Sequence, residues 1–180
     1  MNNIDRFTVI TGGPGSGKTT LIEALAAMGC QTMPEGGRAI IQDQVAIDGQ
    51  ALPWADQYAF AELILSWEMR SHREAMALDG PVIFDRGVPD TIGFLRVNDL
   101  LVPPHMDKAA QLCRYARQVF VAPWWPDIFD QDAERKQSAD EAERTFEIMV
   151  DTYAAYGYEP LILPLAPVEE RARFVIGHLR

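Results

Sequence analysis

The chain has 180 residues, of which 48% are hydrophobic and 23% charged, and its formal net charge is −10 at pH 7. This length predicts one globular domain over residues 1–180. The negative charge argues against a nucleic-acid partner, because duplex binding needs a basic face. No apolar run approaches the ~20 residues that cross a bilayer, and residues 1–6 lack a signal-peptide pattern. Cys30 and Cys113 lie far apart in the sequence without metal-ligand spacing, so we expect them to be reduced thiols of the core. We therefore expect a cytoplasmic protein without a membrane partner.

The first predicted elements are a strand, a glycine-rich segment and a helix. The β-branched apolar run at 7–11 is typical of a buried parallel strand. Residues 12–19 then fit the pattern G-x-x-x-x-G-K-[ST]. A helix is predicted over 18–28, with Leu21, Leu25 and Met28 on one face.

This order favours a phosphate-binding loop over a glycine-rich turn that matches by chance. Glycines let consecutive backbone N–H groups point at phosphate oxygens, and the helix N-terminus adds a partial positive charge. Lys18 can reach the β- and γ-phosphates, and the Thr19 hydroxyl can bind Mg²⁺. We therefore predict a nucleoside triphosphate site formed by Gly12, Gly13, Pro14, Gly15, Ser16, Gly17, Lys18, Thr19 and Thr20.

A second strand is predicted at 30–33, and it leads into a sharp loop with one proline and two glycines. Glu35 and Arg38 in this loop could bind an acceptor molecule, with Glu35 as a base or a metal partner. A solvated loop with a Glu–Arg surface pair explains the same residues. Beyond it, a long helix is predicted over 56–78, with its core-facing side formed by Phe60, Leu63, Ile64 and Trp67.

A third strand at 81–85 ends in an acid followed by an arginine. Asp85 fits the Walker-B aspartate that holds Mg²⁺ or its water, although a surface aspartate capping a turn would look similar. Arg86 occupies the position where an ATPase that activates water usually has glutamate. An arginine cannot act there as a base, but it can bind a phosphate or an acceptor. This pair therefore favours phosphoryl transfer over hydrolysis.

The fourth strand, at 118–122, is followed by a polar stretch that we interpret as a lid over 123–144. A capping box at 138–141 begins the next helix, predicted over 138–156. Arg135, Lys136 and Arg144 could close over the triphosphate and neutralise charge in the transition state. A solvated charged face is the competing interpretation, since acidic residues outnumber basic ones here.

A fifth strand at 160–165 and a helix over 168–179 complete the chain. Strands and helices thus alternate along its whole length, which is typical of parallel sheets covered by helices. The predicted fold is α/β, of the P-loop NTPase class, with three α/β/α layers around a mostly parallel five-stranded sheet. In such sheets ligands bind beyond the carboxyl ends of the strands.

The layout resembles the small P-loop kinases that act on nucleosides and nucleotides. More closely, T-G-G-P-G-S-G-K-T-T at 11–20, P-E-x-x-R-A-I at 34–40, F-D-R-G at 84–87 and Q-D-A-E-R at 131–135 resemble a bacterial family of predicted ATPases. The nucleotide domain of that family is similar to the ribosylnicotinamide-kinase domain of NadR-type proteins. The resemblance covers nearly the full chain and implies ATP and Mg²⁺. It also implies that Asp85 serves as base or metal contact and Arg86 as substrate anchor.

The leading hypothesis is a small-molecule kinase that transfers the γ-phosphoryl group of ATP to a nucleoside, a nucleotide or a similar acceptor. A second hypothesis is a regulatory nucleotide switch read by a protein partner, which the absence of the guanine-reading N-K-x-D pattern makes weaker. A third is a motor-type ATPase, for which the chain is too short to hold the additional helical domain. These hypotheses share the phosphate loop and differ in what accepts the phosphate.

Overall fold

The strands form where β-branched and apolar runs were predicted, and helices fill the segments between them. The computed structural model describes residues 4–125 and 139–179. Within these residues the elements are β1 (Phe7–Gly12), α1 (Lys18–Ala27), β2 (Gln31–Met33), α2 (Gly37–Ala46), α3 (Gln57–Ala75), β3 (Val82–Asp85), α4 (Val88–Val97), α5 (Pro104–Leu112), β4 (Gln118–Ala122), α6 (Ala139–Ala155), β5 (Glu159–Ile162) and α7 (Val168–His178).

The five strands form one sheet in the order β2-β3-β1-β4-β5, and every strand pair is parallel. Both faces of the sheet are buried, since alternate residues of the three central strands, β3, β1 and β4, belong to different hydrophobic clusters. Phe7 and Val9 pack with residues of α3 and α6, whereas Ile10 packs with residues of α1 and α7. The predicted three-layer α/β/α architecture is therefore confirmed, with a sheet that is wholly parallel.

The helical faces differ from the prediction at two residues. Leu63 is exposed, because the buried side of α3 is centred on Ala61, Leu65 and Glu68. At 100° per residue, position 63 points away from that side. Met28 is also exposed, since α1 ends at Ala27 and Met28 is the cap residue beyond its last turn.

Two further elements have boundaries that differ from the prediction by a few residues. The last strand stops at Ile162 rather than at residue 165. Helix α3 begins after Asp56, whose carboxylate accepts a hydrogen bond from the Ala59 N–H at 2.9 Å. Residues 126–138 lie outside the described part of the chain, and with them Arg135, Lys136 and most of the proposed lid. None of the described helices is long and apolar enough to cross a membrane.

Candidate active site

The loop between β1 and α1 has the backbone shape that its glycines predict. Gly12, Gly15 and Gly17 adopt positive φ angles of 132°, 72° and 73°. At Gly12 a Cβ atom would also collide with Ala122 of the neighbouring strand β4. Such conformations are strained for any other residue. The sequence of turns brings the loop round to the N-terminus of α1, where unpaired N–H groups favour an anion.

Lys18 lies folded across this loop. Its Nζ donates hydrogen bonds to the carbonyl oxygens of Gly12 at 2.9 Å and Gly13 at 2.7 Å, and to Ser16 Oγ at 3.3 Å. Burial, together with the nearby Arg86 guanidinium, lowers the pKa of Lys18 to about 7. A bound polyanion would favour the protonated form of Lys18 and raise that pKa again. Thr19 and Thr20 follow on the exposed side of α1.

Asp85 ends strand β3, directly beside the strand that leads into the loop. It pairs in register with Ile10 of β1, and burial raises its pKa. Within the described residues its Oδ1 atom is buried without a hydrogen-bond partner. A buried carboxylate oxygen is rarely left unsatisfied, so this atom fits a ligand of Mg²⁺ or of a magnesium-bound water.

Arg86 is held between two carboxylates. Its Nε atom lies 3.1 Å from Glu35 Oε1, and its Nη1 lies 3.2 Å from Asp90 Oδ1. Although burial opposes it, these two charges keep the pKa of Arg86 above its ordinary value. The backbone of Arg86 is left-handed, with φ 75°, and its N–H donates to the Ile10 carbonyl at 3.0 Å. The guanidinium is thus fixed on both its backbone and its side-chain ends.

Asp90 is the functional candidate that sequence reasoning missed. It lies buried in the first turn of α4, and its Oδ2 accepts hydrogen bonds from the Gly87 N–H at 2.9 Å and the Tyr153 hydroxyl at 2.5 Å. Its Oδ1 accepts from the Thr11 hydroxyl as well as from Arg86. One carboxylate therefore connects β1, the β3–α4 turn and α6. The signal was an acid in the first turn after Gly-Val-Pro, which is a helix-start pattern.

Two further charged groups near the site were also missed. Glu68 of α3 is 2% exposed, and burial together with the Asp90 carboxylate raises its pKa well above the ordinary value. Arg171 of α7 is 3% exposed and donates from Nη2 to the Ser16 carbonyl of the loop at 3.1 Å. In the described part of the chain its Nε has no partner, and burial lowers its pKa. Arg171 thus brings a buried positive charge to the back of the loop, and within the described residues no carboxylate pairs with it.

A cavity of about 320 Å³ adjoins the loop on the side of Arg86. Its polar residues are Glu35, Arg86, Asp90, Asn98 and Thr145, and Pro14 of the loop borders it. Its apolar wall comes from the loop between α2 and α3 and from helices α2, α3, α4 and α6, and consists of Gly37, Ile41, Pro53, Phe60, Ile64, Phe94, Val97 and Met149. This volume is at the lower end of the roughly 300–1,000 Å³ range of small-molecule sites.

The β2–α2 loop that carries Glu35 is positioned by Trp67. The indole Nε1 donates to the Pro34 carbonyl at 3.1 Å. The ring packs so closely on Gly36 that an added Cβ would lie 2.5 Å from it. The glycine therefore lets α3 hold Glu35 against Arg86.

The structure brings together some of the residues predicted from the sequence. Glu35, Asp85 and Arg86 lie together beside the loop that holds Lys18. Arg38 is exposed on α2 and does not line the cavity. Arg144 is half exposed and forms an ion pair with Asp99 at 2.8 Å, on the outer side of α6. Arg135 lies outside the described residues.

This fold and loop define a P-loop nucleotide-binding protein. The family described as "AAA domain" matches residues 7–171, and the chain belongs to that family. No curated protein matches the sequence.

Several solved kinase structures share the fold at low sequence identity. Deoxyadenosine kinase from M. mycoides, with dCMP and dCDP bound, is 16% identical with a TM-score of 0.64, covering 96% of this chain and 98% of that one. Thymidylate kinase from Ehrlichia chaffeensis is 16% identical with a TM-score of 0.62, covering 97% and 98%. NadR in complex with NR is 15% identical with a TM-score of 0.68, covering 98% of this chain but only 50% of NadR. At these identities the similarity establishes the fold alone.

Proposed function

We propose that this protein is a small-molecule kinase that transfers the γ-phosphoryl group of ATP, with Mg²⁺, to a hydroxyl group of an acceptor. The observation that carries the proposal is the cavity that adjoins the phosphate loop at Pro14 and contains the Glu35–Arg86–Asp90 cluster. An NTPase that only hydrolyses needs space for one water, whereas this cavity has the size and apolar walls of a metabolite site.

The donor half of the proposed site binds the triphosphate of ATP. The N–H groups of the loop and of the α1 N-terminus contact phosphate oxygens, and Lys18 turns from the loop carbonyls to the β- and γ-phosphates. Thr19 and Asp85 would hold Mg²⁺, which when bound neutralises charge on the phosphate oxygens. Two or fewer protein ligands are usual for this ion, because nucleotide phosphates and waters supply the rest.

The acceptor half positions the hydroxyl group. Arg86 anchors the acceptor, and Glu35 accepts the hydroxyl proton. The acceptor oxygen forms a new bond to the γ-phosphorus while the bond from that phosphorus to the β–γ bridging oxygen breaks. The products are the phosphorylated acceptor, ADP and one proton. In this proposal Arg38, which is exposed in the first turn of α2 outside the cavity lining, contacts a part of the acceptor that extends beyond the cavity, and Arg135 and Arg144 form the lid.

The solved structures with the same fold support a nucleoside or nucleotide as the acceptor class. The kinase from M. mycoides has been observed with dCMP and dCDP and, in another structure, with dATP. NadR has been observed with NR. Those ligands belong to those proteins, and for this chain they suggest which compounds to test first.

The test is ADP release from ATP and Mg²⁺ in the presence of a panel of nucleosides, nucleotides and related alcohols. The proposal predicts that at least one acceptor raises turnover by about tenfold or more over the water reaction, because a positioned nucleophile gains from proximity. Slow ADP release that no acceptor changes would contradict the kinase function and favour a nucleotide switch. A variant of an exposed residue, Lys108→Ala on α5, controls for the effect of substitution itself.

A further inference from the structure

The charges inside the cavity bear on which acceptor it can take. The charged residues that line it, within the described part of the chain, are Glu35, Arg86 and Asp90, with a formal sum of −1. The cation among them is already engaged, since Arg86 contacts Glu35 at 3.1 Å and Asp90 at 3.2 Å. The cavity therefore offers no positive charge that its own carboxylates have not matched.

A phosphorylated acceptor would conflict with these charges. A phosphomonoester has a charge of about −2 near neutral pH, and sites that bind one use arginine forks or lysines that are available to its oxygens. Arg86 has further N–H groups beyond the two that contact Glu35 and Asp90, but a phosphate that reached them would lie close to both carboxylates, which repel it. Moving Asp90 away to relieve this repulsion would disturb a group that accepts hydrogen bonds from Tyr153 and the Gly87 N–H.

The remaining lining suits an uncharged ring. Phe60 and Phe94 stand edge to face, with their ring centroids 5.3 Å apart, and Ile41, Ile64 and Val97 add aliphatic surface. The amide of Asn98 is occupied by hydrogen bonds with Gln57 Nε2 at 2.9 Å and the Phe94 carbonyl at 2.8 Å. Because the Asn98 amide is occupied, the polar groups that remain available to a ligand are those at the loop end of the cavity. There Glu35 can accept a hydrogen bond from a hydroxyl.

We propose that the acceptor is the unphosphorylated form of its compound: a neutral or cationic ring compound with a free hydroxyl, such as a nucleoside, rather than the corresponding monophosphate. This inference rests on the proposed kinase function and deepens it. It distinguishes two acceptor types, since the neutral hydroxyl of a nucleoside needs a hydrogen-bond acceptor in the cavity, whereas the phosphate of a nucleotide needs cationic groups.

The test compares nucleosides with their own 5′-monophosphates. Binding is measured by calorimetry with ADP and Mg²⁺ present, so that the phosphate loop is already filled, and turnover is measured on the same pairs with ATP. We expect the best nucleoside to bind about tenfold or more tightly than its monophosphate, because like charges repel in a partly buried site. Equal or tighter binding of the monophosphate, or binding of neither, overturns the inference.

A matched pair of variants isolates the charge. Asn98→Lys adds a cation to the cavity wall, and Asn98→Met removes the same amide hydrogen bonds with a side chain of similar length. The monophosphate should gain several-fold relative to the nucleoside in Asn98→Lys compared with Asn98→Met, and an unchanged ratio overturns the inference. Nucleoside-selective binding without any phosphorylated product would instead contradict the proposed kinase reaction while supporting the charge selectivity.

Discussion

The two halves of the site are built in different ways. The donor half is one continuous segment, residues 12–20, whose backbone turns and helix N-terminus form the proposed anion site. The acceptor half consists of side chains from separate elements, with Glu35 after β2, Arg86 after β3 and Asp90 in α4, tied to α6 by Tyr153.

Their charges differ as well. Lys18 and Arg171 are buried cations that hydrogen-bond to oxygens of the loop itself, whereas Arg86 is paired with two carboxylates. Within the described residues the cations of the donor half form no ion pair, whereas the cation of the acceptor half lies between two carboxylates. The difference predicts that changes to the donor half act on nucleotide binding and chemistry, while changes to the acceptor half act on stability and acceptor use.

The largest effect is expected from Lys18→Ala. Removing the ammonium should lower kcat by roughly a thousandfold while leaving the fold intact, because transition-state charge loses its main side-chain partner. Turnover and circular dichroism of the variant check this, with Lys108→Ala as the exposed control. Near-normal turnover would overturn the phosphate-loop mechanism.

Asp90→Ala should destabilise the acceptor half of the site. The substitution leaves the Tyr153 hydroxyl, the Thr11 hydroxyl and the Gly87 N–H without their acceptor and Arg86 with one carboxylate fewer. We expect the free energy of unfolding to fall by about 3 kcal/mol or more, as for other broken buried charge pairs. Urea denaturation measures it, and Tyr153→Phe, which removes one of these donors, should show a smaller loss. Equal losses in the two variants would contradict the hub role of Asp90.

Arg135→Ala tests the lid, which remains a prediction from sequence. If Arg135 neutralises charge only in the transition state, kcat should fall by about tenfold with little change in ATP affinity. Steady-state kinetics and ATP titration separate the two, with the exposed Arg70→Ala of α3 as control. An unchanged kcat would mean that 123–144 is a surface segment without a catalytic role.

ATP affinity should depend on pH through Lys18. Burial lowers the pKa of this group to about 7 in the free protein, and the negative triphosphate raises it on binding. Below pH 7 the Lys18 amine is already protonated in the free protein, whereas above pH 7 it must take up a proton when ATP binds. The dissociation constant should therefore rise by about fivefold between pH 7 and 8, and further beyond. Calorimetry in buffers of different ionisation enthalpy measures the proton, and Lys18→Met should abolish the trend. A flat profile in the wild type would contradict this account.

The smallest effect is expected from Arg171→Met. This change removes a buried cation that has no ion-pair partner among the described residues, so the ligand-free protein should be no less stable while ATP stabilises it less. We expect ATP to bind about threefold more weakly, as judged by thermal shift and titration. Arg173→Met, on the exposed side of the same helix, is the control. A loss of stability without a change in ATP affinity would assign Arg171 a structural role only.

The backbone shape of the phosphate loop could be predicted from the sequence because its signal is local. The strand, the glycines and the helix start are adjacent in the chain, and each glycine of the pattern answers a backbone requirement such as the positive φ of Gly17. The position of Asp85 could be predicted for the same reason, since an acid that ends an apolar strand lies at the carboxyl edge of the sheet.

The acceptor half could be predicted only in part because its contacts are distant in sequence. The Tyr153–Asp90 hydrogen bond joins residues 63 positions apart, and the contact of Arg171 with Ser16 spans 155 positions. An aromatic residue on the buried side of α6 and a single arginine in α7 carry no local sequence signal for these contacts. The apolar pattern of α3 predicted a core face that includes Leu63, whereas the observed core face of this helix includes a buried glutamate, Glu68. Apolar patterning alone does not show such polar positions.

In the proposed reaction the phosphoryl group goes to a metabolite rather than to water. Running the reaction in ¹⁸O-labelled water with the best acceptor of the panel tests this directly by mass spectrometry. The account predicts a phosphorylated acceptor whose new phosphate contains no ¹⁸O, formed in step with ADP. If ¹⁸O-labelled inorganic phosphate is the main product with every acceptor offered, the protein is a hydrolase and the account is contradicted.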